Sequence, residues 1–505
     1  MDWEIKDFLE IQNNQLFIDG VSAIELAKRF DTPLFVFSES RIKRNIERLK
    51  RAEKFIEGKL KICYAAKANS NMAILRTVRE SGADLEVNSG GELWKALKIG
   101  FRPEQIIFNG TSKTVAELEA AITADIYAIQ VDSLYELELV ETLASALQKR
   151  ANISLRLVPD IETKTHSGLQ TALLTSKFGM MPDEALSAFR RFYKSDFLNL
   201  CGIHLHIGSQ TPDAAPYVDA LKTLFENFLQ IYEETGVILS HINLGGGFPV
   251  NYLRDDSHKK FIFSAPEREM LAADFEPSDA IEKAWKTIKQ SAVASNAAHL
   301  FENITLLLEP GRSIISDAGI CLTTVRNKKE RPVDEMNSII QNKIDSTNKK
   351  EDFEQGTPAD ITSLKISLSD PNIDKVTWLL TDAGFNILLS METYKWYYHL
   401  ISAERASEAH DYPYKLAGPL CDGGDVYFDT ESKGGGRLPA YRLLPNDVHP
   451  NEILALLNCG AYSVAQMSQY NGRQLPAIIL IKEGSEIELI RRRDSYEDLL
   501  GNDIW

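Results

Sequence analysis

The chain has 505 residues, of which 44% are hydrophobic and 25% charged, a composition typical of soluble globular proteins. Its 72 acidic residues outnumber 56 basic ones, and the formal net charge of −16 argues against nucleic acid or an anionic membrane as the main partner. A chain of this length exceeds one ordinary compact domain, so we expect two domains.

The cysteines and the N-terminus bear on the cellular compartment. The five cysteines are far apart and include no CxxC pair, which fits a reducing compartment and gives no zinc signature. The N-terminal stretch MDWEIKDFLE lacks the pattern of a signal peptide, and no apolar run approaches the ~18 residues of a membrane span. The sequence therefore predicts a cytoplasmic protein with no metal site and no membrane partner.

The first three-fifths of the chain alternate between strand-like and helix-like patterns. A hairpin-like LFIDGVS (16–22) comes first, followed by TPLFVFSE (32–39), which we interpret as the first barrel element. Eight further apolar runs then follow: LKICYAA (60–66), ADLEVNS (83–89), QIIFNG (105–110), AIQVDS (128–133), ISLRLVP (153–159), CGIHLHIGS (201–209), HINLGGGF (241–248) and ITLLLEPG (304–311). Helical segments between them open on N-cap residues such as Asn71, Ser89 and Ser133.

Eight strands that each precede a helix are typical of a (β/α)8 TIM-type barrel of about 250 residues. A doubly wound sheet is the rival architecture, but no GxGxxG motif follows the early strands. After residue 320 a polar stretch (326–362) indicates an excursion or partly mobile loop. The runs VTWLLTDAG, VYFD, ILALLNCGAY and PAIILIKEG then predict a second, mostly β domain, with which the LFIDGVS hairpin is expected to pair. We place the barrel at 35–318 and the second domain at 1–34 plus 319–505.

Polar residues follow several of the predicted barrel strands, and the carboxyl ends of barrel strands meet at one mouth. The residues at these ends are Lys67, Asn69, Glu86, Ser89, Arg156, His204, His206, Ser209, Gln210, Gly245, Gly246, Gly247, Glu309 and Arg312. Consecutive glycines allow close approach of an anion, and barrels commonly bind phosphate after strands seven and eight. A lysine across the mouth from a phosphate site suggests pyridoxal 5′-phosphate held as a Schiff base.

Each of these residues also has a simpler interpretation. Lys67 would cap a strand end in solvent, the three glycines would form an ordinary loop, and Glu309 with Arg312 would be an ion pair. His204 is better explained by a hydrogen bond inside the barrel than by ligand contact. The joint placement of these residues on one rim favours a cofactor site, in which Glu309 pairs with the pyridine nitrogen and His206 stacks on the ring.

Longer motifs along the chain carry a resemblance to a known family. They are TPLFVF (32–37), YAAKAN (64–69), SGGEL (89–93), SKFGM (176–180), HIGSQ (206–210), LGGGFP (244–249), EPGR (309–312), GPLCDGGD (418–425), CGAY (459–462) and QYNGRQLPA (469–477). Together they resemble the fold-type III pyridoxal-phosphate decarboxylases, the group that contains diaminopimelate and ornithine decarboxylases. The resemblance runs from about residue 16 to 482 and implies an alanine racemase-like barrel with a C-terminal β-sandwich or Greek-key domain.

The resemblance implies a role for each matching position. Lys67 would be the Schiff-base lysine, His206 the ring-stacking residue and Glu309 the partner of the pyridine nitrogen. Cys421 would protonate Cα after CO2 leaves, and the Cys421-Asp422 segment would reach into a neighbouring subunit, which implies a homodimer with shared active sites. The remaining cofactor-binding positions are Ser209, Gly246, Gly247, Arg312 and Tyr462. The implied substrate-binding positions are Arg312, Ser390, Tyr394 and Asp422.

The sequence departs from the family at the far end of the substrate. Ser390 stands where diaminopimelate decarboxylases carry an arginine, Asp422 replaces the usual glutamate, and Glu86 replaces an aspartate. Loss of a bidentate carboxylate clamp costs about 2–5 kcal/mol of binding. We therefore expect a decarboxylase of a modified diamino acid, such as a citryl-linked one used in siderophore assembly.

The alternatives are a diaminopimelate, ornithine or lysine decarboxylase, a racemase of the same barrel type and a non-catalytic regulatory homologue. A racemase would carry an arginine in place of Glu309, and retention of Lys67, Glu309, Cys421 and Tyr462 argues against a silent homologue. The chain is also long for the family, with extra residues around 251–300 and 326–365.

Overall fold

The computed structural model describes residues 4–56, 58–158, 175–253, 265–273, 275–335, 375–429 and 438–504, with a few isolated positions between these ranges. Parts of both predicted insertions, around 251–300 and 326–365, lie outside the described residues.

The N-terminal residues form a small antiparallel sheet of three strands, β1 (Leu9–Gln12), β2 (Gln15–Ile18) and β3 (Val21–Ser22), followed by helix α1 (Ala23–Phe30). The Ser22 side chain caps α1 by accepting from the backbone of Glu25. The Leu16 N–H donates to the Ala403 carbonyl at 2.9 Å. Buried apolar residues of this sheet also pack with residues of the C-terminal part of the chain. The LFIDGVS hairpin therefore contacts the C-terminal part of the chain, but among the described residues its strands pair only within their own three-stranded sheet.

Strand β4 (Leu34–Ser38) corrects one sequence prediction. We interpreted TPLFVFSE as the first barrel element, but β4 pairs antiparallel with β13 (Gly319–Pro332) and parallel with β19 (Ala477–Ile481), outside the barrel. All five of its residues are buried, since it lies in the middle of a sheet. A continuous apolar run cannot distinguish a central strand of one sheet from a strand of another. The domain boundaries themselves remain a prediction, and helix α2 (Glu39–Lys50) leads from β4 into the barrel.

The predicted barrel of eight strands is confirmed, and it is closed. Its parallel strands follow one another in chain order, and the last pairs with the first. They are β5 (Lys59–Ala65), β6 (Asp84–Val87), β7 (Ile106–Phe108), β8 (Ala128–Val131), β9 (Ala151–Arg156), β10 (Leu198–His204), β11 (His241–Asn243) and β12 (Thr305–Leu308). Their near-continuous apolar runs reflect burial on both faces, with side chains inside and helices outside.

The helices around the barrel begin where the sequence placed their caps. The side chains of Asn71, Ser89 and Ser133 accept hydrogen bonds from the first turns of their helices, each cap contributing about 1 kcal/mol. The helices are α3 (Met72–Glu80), α4 (Gly90–Ile99), α5 (Val115–Ala124), α6 (Leu134–Ala146), α7 (Pro182–Phe192), α8 (Ala215–Thr235), α9 (Ala265–Leu271), α10 (Pro277–Ala294) and α11 (Arg312–Ile315). None of the described helices combines the length and apolarity that crossing a bilayer requires.

The second domain is mostly β, as predicted. Its elements are β13, β14 (Lys375–Thr381), helix α12 (Leu389–Thr393), β15 (Leu400–Ser402), β16 (Tyr412–Ala417), β17 (Arg442–Leu444), β18 (Ile453–Leu456), β19 and β20 (Ile487–Arg491). The sheet order is β17-β16-β14-β13-β4-β19-β20, with β18 pairing β13 and β15.

Two local predictions in this domain were wrong. The start of the polar stretch 326–362 continues the long strand β13, because β14 pairs with it as far as Pro332; most of the rest lies outside the described residues. The run VYFD forms an isolated bridge between Ala417 and Val426 and not a strand.

Candidate active site

A cavity of about 350 Å³ lies at the carboxyl ends of the barrel strands. Its lining residues are Lys67, Asn88, Asn109, Gly110, Arg156, Phe178, His204, His206, Ser209, Glu309, Arg312, Ser390, Tyr394, Tyr462 and Gln466. A second, larger groove of about 490 Å³ lies beside the second-domain sheet and contains none of the predicted site residues. The smaller cavity is therefore the candidate site.

Lys67 lies in a single turn that follows β5, and its backbone is held from both sides. Tyr64 Oη donates to the Asn69 carbonyl at 3.0 Å, and the Tyr462 N–H donates to the Ala68 carbonyl at 2.9 Å. The Lys67 side chain is 43% exposed, and its Nζ lies 3.4 Å from Glu86 Oε1. Desolvation opposes its charge, but the pKa of Lys67 is raised because Glu86 and other neighbours outweigh that effect. Lys67 is a cavity-lining amine and not a solvent cap.

Glu309 follows β12 and is held as an ionised carboxylate. Asn243 Nδ2 donates to its Oε1 at 2.7 Å, Asn109 Nδ2 donates to its Oε2 at 2.9 Å, and His204 Nε2 lies 3.5 Å from Oε2. Burial alone would raise the pKa of Glu309, but His204, Lys67 and Asn243 together hold it below the usual value. An anion placed in this way can keep a proton on a ring nitrogen opposite it.

Glu86 is the second carboxylate of the site, and its pKa is shifted in the opposite direction from that of Glu309. Its side chain is fully buried, and Asn109 Nδ2 donates to Oε1 at 2.8 Å. Burial raises the pKa of Glu86 to about 7; the Lys67 charge opposes this shift, and the Glu309 charge adds to it. Glu309 therefore loses its proton at a lower pH than Glu86, because more donors reach Glu309.

Both histidines of strand β10 and its extension are neutral. The Gly246 N–H donates to His206 Nδ1 at 3.1 Å, so the ring proton is on Nε2. Burial lowers the pKa of His206 well below its usual value, and Lys67 and Arg156 act in the same direction. Burial also lowers the pKa of His204, which contacts Glu309 and lines the cavity. The contact with Glu309 agrees with the interpretation of His204 as an internal residue, and its lack of ligand contact stays a prediction.

The glycine-rich turn after β11 admits no side chain. A Cβ on Gly246 would lie 2.2 Å from the Glu309 carbonyl oxygen, and one on Gly247 would lie 2.4 Å from the Gly208 carbonyl oxygen. Gly247 also has a φ of +94°, which L side chains rarely adopt. The turn lies against the barrel end at a distance that only glycine allows.

Arg312 is buried beside this turn and is fixed from several directions. Its Nε donates to Ser209 Oγ at 3.2 Å, and its Nη1 donates to Tyr252 Oη at 2.9 Å. The guanidinium carbon lies 4.5 Å from the ring centroid of Trp396 and 5.0 Å from that of Tyr462. These contacts make Arg312 a rigid cation of the cavity wall.

The structure places Ser390 and Tyr394 in the same cavity, as predicted. Ser390 is buried in the short helix α12, and Tyr394 follows that helix. Across the cavity, the Arg156 guanidinium lies 4.2 Å from the centroid of the Phe178 ring.

Cys421 and Asp422 are not brought to this cavity within one chain. Cys421 is exposed in a separate groove of about 340 Å³, where its N–H donates to Asn471 Oδ1 at 2.7 Å. Asp422 Oδ2 accepts from Tyr470 Oη at 3.2 Å. Their predicted action in the site of a neighbouring subunit stays a prediction.

The sequence reasoning missed four residues that hold the site together: Asn109, Asn243, Tyr252 and Trp396. Asn109 follows β7, and Asn243 ends β11, so the strand-end rule that found Glu309 would have found both. Tyr252 and Trp396 lie in irregular segments, and nothing local in the sequence marks their contact with Arg312.

The comparisons with known proteins agree on one family. The family model "Pyridoxal-dependent decarboxylase, pyridoxal binding domain" matches residues 40–316. The diaminopimelate decarboxylase of Methanocaldococcus jannaschii is 32% identical over 99% of this chain and 97% of its own length. That of Aquifex aeolicus is 31% identical over 98% of this chain and 97% of its own length.

Solved structures extend the likeness to three dimensions. The crystal structure of M. jannaschii diaminopimelate decarboxylase in co-complex with L-lysine has a TM-score of 0.76 and 31% identity, covering 99% of this chain and 98% of that one. The lysine/ornithine decarboxylase of Vibrio vulnificus complexed with putrescine has a TM-score of 0.64 but only 21% identity, which shows a shared fold alone. It covers 92% of this chain and 98% of its own.

Proposed function

Because this chain belongs to the pyridoxal-dependent decarboxylases, we propose that its specific reaction is removal of the α-carboxyl group of diaminopimelate. The relatives that align with nearly the whole chain are diaminopimelate decarboxylases. They favour this substrate over the conjugated siderophore-type diamino acid expected from Ser390, and that expectation has no support among them. The observation that carries the proposal is full-length similarity combined with a cavity that retains a fixed arginine.

The residues present fit pyridoxal 5′-phosphate. The cofactor requires an amine, an anion-binding turn and a partner for its pyridine nitrogen. Lys67 supplies the amine, and the glycine turn with Ser209 supplies a close-packed polar edge that a Cβ would obstruct. Glu309 is ionised and fixed by two asparagines. When bound, pyridoxal phosphate draws electrons away from Cα as CO2 leaves.

The side chains of this chain supply positioning and proton placement. Glu309 would hold a proton on the pyridine nitrogen, and neutral His206 would pack against the ring without adding a competing positive charge. Cys421 of a neighbouring subunit would return a proton to Cα, since a thiol is a suitable donor when its pKa is near the operating pH. A homodimer is therefore part of the proposal.

The far end of the substrate is where this chain differs from its family. Arg312 is a buried cation whose side chain lines the cavity, and Tyr394 and Gln466 add polar groups. Ser390 replaces a second cation with a small hydroxyl. We propose that the distal carboxylate binds toward Arg312 and that Ser390 leaves room beside it.

A panel of substrates tests this assignment. Purified enzyme with pyridoxal phosphate would be assayed for CO2 release from meso-diaminopimelate, L-ornithine and L-lysine under identical conditions. We expect kcat/KM for diaminopimelate to exceed that for ornithine and lysine by at least about 100-fold, the range that a charged contact provides. Preference for ornithine or lysine, or absence of turnover of diaminopimelate, would reject the substrate while leaving the family intact.

A further inference from the structure

Two buried carboxylates share one amide at the end of the barrel. Asn109 Nδ2 donates to Glu86 Oε1 at 2.8 Å and to Glu309 Oε2 at 2.9 Å. An amide nitrogen carries two hydrogens, so it can satisfy both acceptors at once. Asn109 thus sets the spacing of the two carboxylates.

The two carboxylates have different surroundings. Glu309 has further support from Asn243 and His204, which favours its ionised form. Glu86 Oε2 is buried and accepts no hydrogen bond from the residues that the structure describes. A buried carboxylate oxygen without a donor is costly when ionised, and protonation of the group relieves that cost.

The remaining neighbour of Glu86 is Lys67, whose Nζ lies 3.4 Å from Oε1. Moving one proton from Nζ to the carboxylate converts an ammonium and a carboxylate into an amine and a carboxylic acid. The charge of the pair does not change, and no other reactant is needed. The amine that results is the form that can attack a carbonyl carbon.

We propose that Glu86 is the acid–base partner of Lys67 and that Asn109 is the positioning residue that fixes Glu86 Oε1 beside Lys67 Nζ. Glu86 accepts the proton when Lys67 must be a free amine and returns it when Lys67 must be released as an ammonium. The inference rests on the decarboxylase assignment but not on the identity of the substrate.

The length of the Glu86 side chain brings its carboxylate within reach of Lys67. An aspartate at position 86 would place the carboxylate farther back by roughly one C–C bond of about 1.5 Å. Lys67 Nζ and Glu86 Oε1 are 3.4 Å apart, so a shift of that size would take the carboxylate oxygen out of hydrogen-bond reach of Lys67. Burial raises the pKa of Glu86, which brings it closer to that of the amine and lowers the cost of moving a proton from Lys67.

Uptake of pyridoxal phosphate by the apoenzyme tests the proposal without any substrate. The rate would be followed by absorbance between pH 5.5 and 9 for the wild type, Glu86→Gln, Glu86→Asp and Asn109→Ala. We expect the wild-type rate to show an ionisation near pH 7. Glu86→Gln should lose that ionisation and slow uptake at pH 7.5 by at least about 100-fold, the lower range for a general base. Asn109→Ala should retain an ionisation but move it to higher pH, because a donor to the ionised carboxylate is gone.

A matched control is the buried pair formed by Lys113 and Glu136, which lies outside the cavity with 2.7 Å between Nζ and Oε1. Glu136→Gln should leave the ionisation near pH 7 in place. Circular dichroism checks folding of each variant, and Glu86→Asp provides the test if Glu86→Gln does not fold. A wild-type rate without an ionisation between pH 6 and 8 would overturn the proposal. So would uptake by a folded Glu86→Gln or Glu86→Asp variant that matches the wild type within about twofold.

Discussion

Replacing Glu309 with glutamine removes one negative charge and nearly preserves the shape of the side chain. Asn243 Nδ2 donates to Glu309 Oε1 at 2.7 Å, and Asn243 Oδ1 accepts the Gly245 N–H at 2.9 Å. The Asn243 amide cannot rotate by half a turn without losing its hydrogen bond to the Gly245 N–H. The amide oxygen of the introduced glutamine must therefore face Asn243 Nδ2. The new NH2 group then faces Asn109 Nδ2, which donates at 2.9 Å in the native protein.

Two donors would therefore face each other in the Glu309→Gln variant. Asn109 can relieve the conflict by turning its own oxygen inward, but it then loses its bond to Glu86. Loss of one hydrogen bond to a charged group costs about 1.5–3 kcal/mol. We expect the free energy of unfolding of the apoprotein to fall by that amount, which thermal or denaturant unfolding would measure.

The effect of Glu309→Gln on turnover should be larger than its effect on folding. An amide cannot hold a proton on the pyridine nitrogen as a carboxylate does, and loss of one preorganised electrostatic group costs about 10²–10³ in kcat. Glu452→Gln is the matched control, because Glu452 is a buried carboxylate that pairs with Arg405 at 3.0 Å in the second domain. The control should lose stability and keep kcat. A folded Glu309→Gln variant with kcat within about fivefold of the wild type would refute the role of Glu309.

Four further predictions follow from the same geometry. Gly247→Ala should weaken cofactor affinity by at least about tenfold in a spectroscopic titration, because its φ of +94° and a carbonyl 2.4 Å from the new Cβ both oppose a side chain. Ser390→Arg should lower KM for diaminopimelate by about tenfold or more by restoring a carboxylate clamp, and an unchanged KM would contradict the position given to the distal carboxylate. Since the pKa of Glu86 is raised from 4.5 to about 7, the folded apoprotein keeps a proton that the unfolded chain releases. The contribution of Glu86 to the free energy of unfolding should therefore decline as pH rises from about 4.5 to about 7. The free energy of unfolding of the Glu86→Gln variant should not show this decline with pH. Equal mixtures of inactive Lys67→Ala and Cys421→Ala subunits should regain about a quarter of wild-type activity after subunit exchange, whereas no recovery would contradict shared sites.

The sequence was sufficient to predict the barrel because the pattern of an apolar run followed by a helix-like segment repeats eight times. Each of eight apolar runs was followed by a helix-like segment, several of which open on an N-cap residue, and all eight became strands of one closed barrel. The same repetition placed Lys67, His206 and Glu309 at one end, since residues at the carboxyl ends of parallel strands must meet there. The run TPLFVFSE is also followed by a capped helix, α2, and its assignment was wrong because pairing with β13 and β19 depends on residues hundreds of positions away.

The finer parts of the site were less accessible from the sequence. The contacts of Arg312 with Tyr252 and Trp396 join three separate segments, and no local pattern encodes them. The opposite pKa shifts of Glu86 and Glu309 arise from which donors reach each carboxylate, which is a property of the folded cavity. The placement of Cys421 away from this chain's own cavity was anticipated only through the family resemblance, because no local pattern around Cys421 indicates it.

The attachment site of the cofactor tests the central claim most directly. Holoenzyme reduced with borohydride would be digested and analysed by mass spectrometry, with Lys67→Ala as the control. We predict one pyridoxyl adduct per chain on the peptide that contains Lys67, and none on that peptide in the control. An adduct on another lysine, or no adduct in an enzyme that still releases CO2, would contradict the assignment of this cavity as the decarboxylation site.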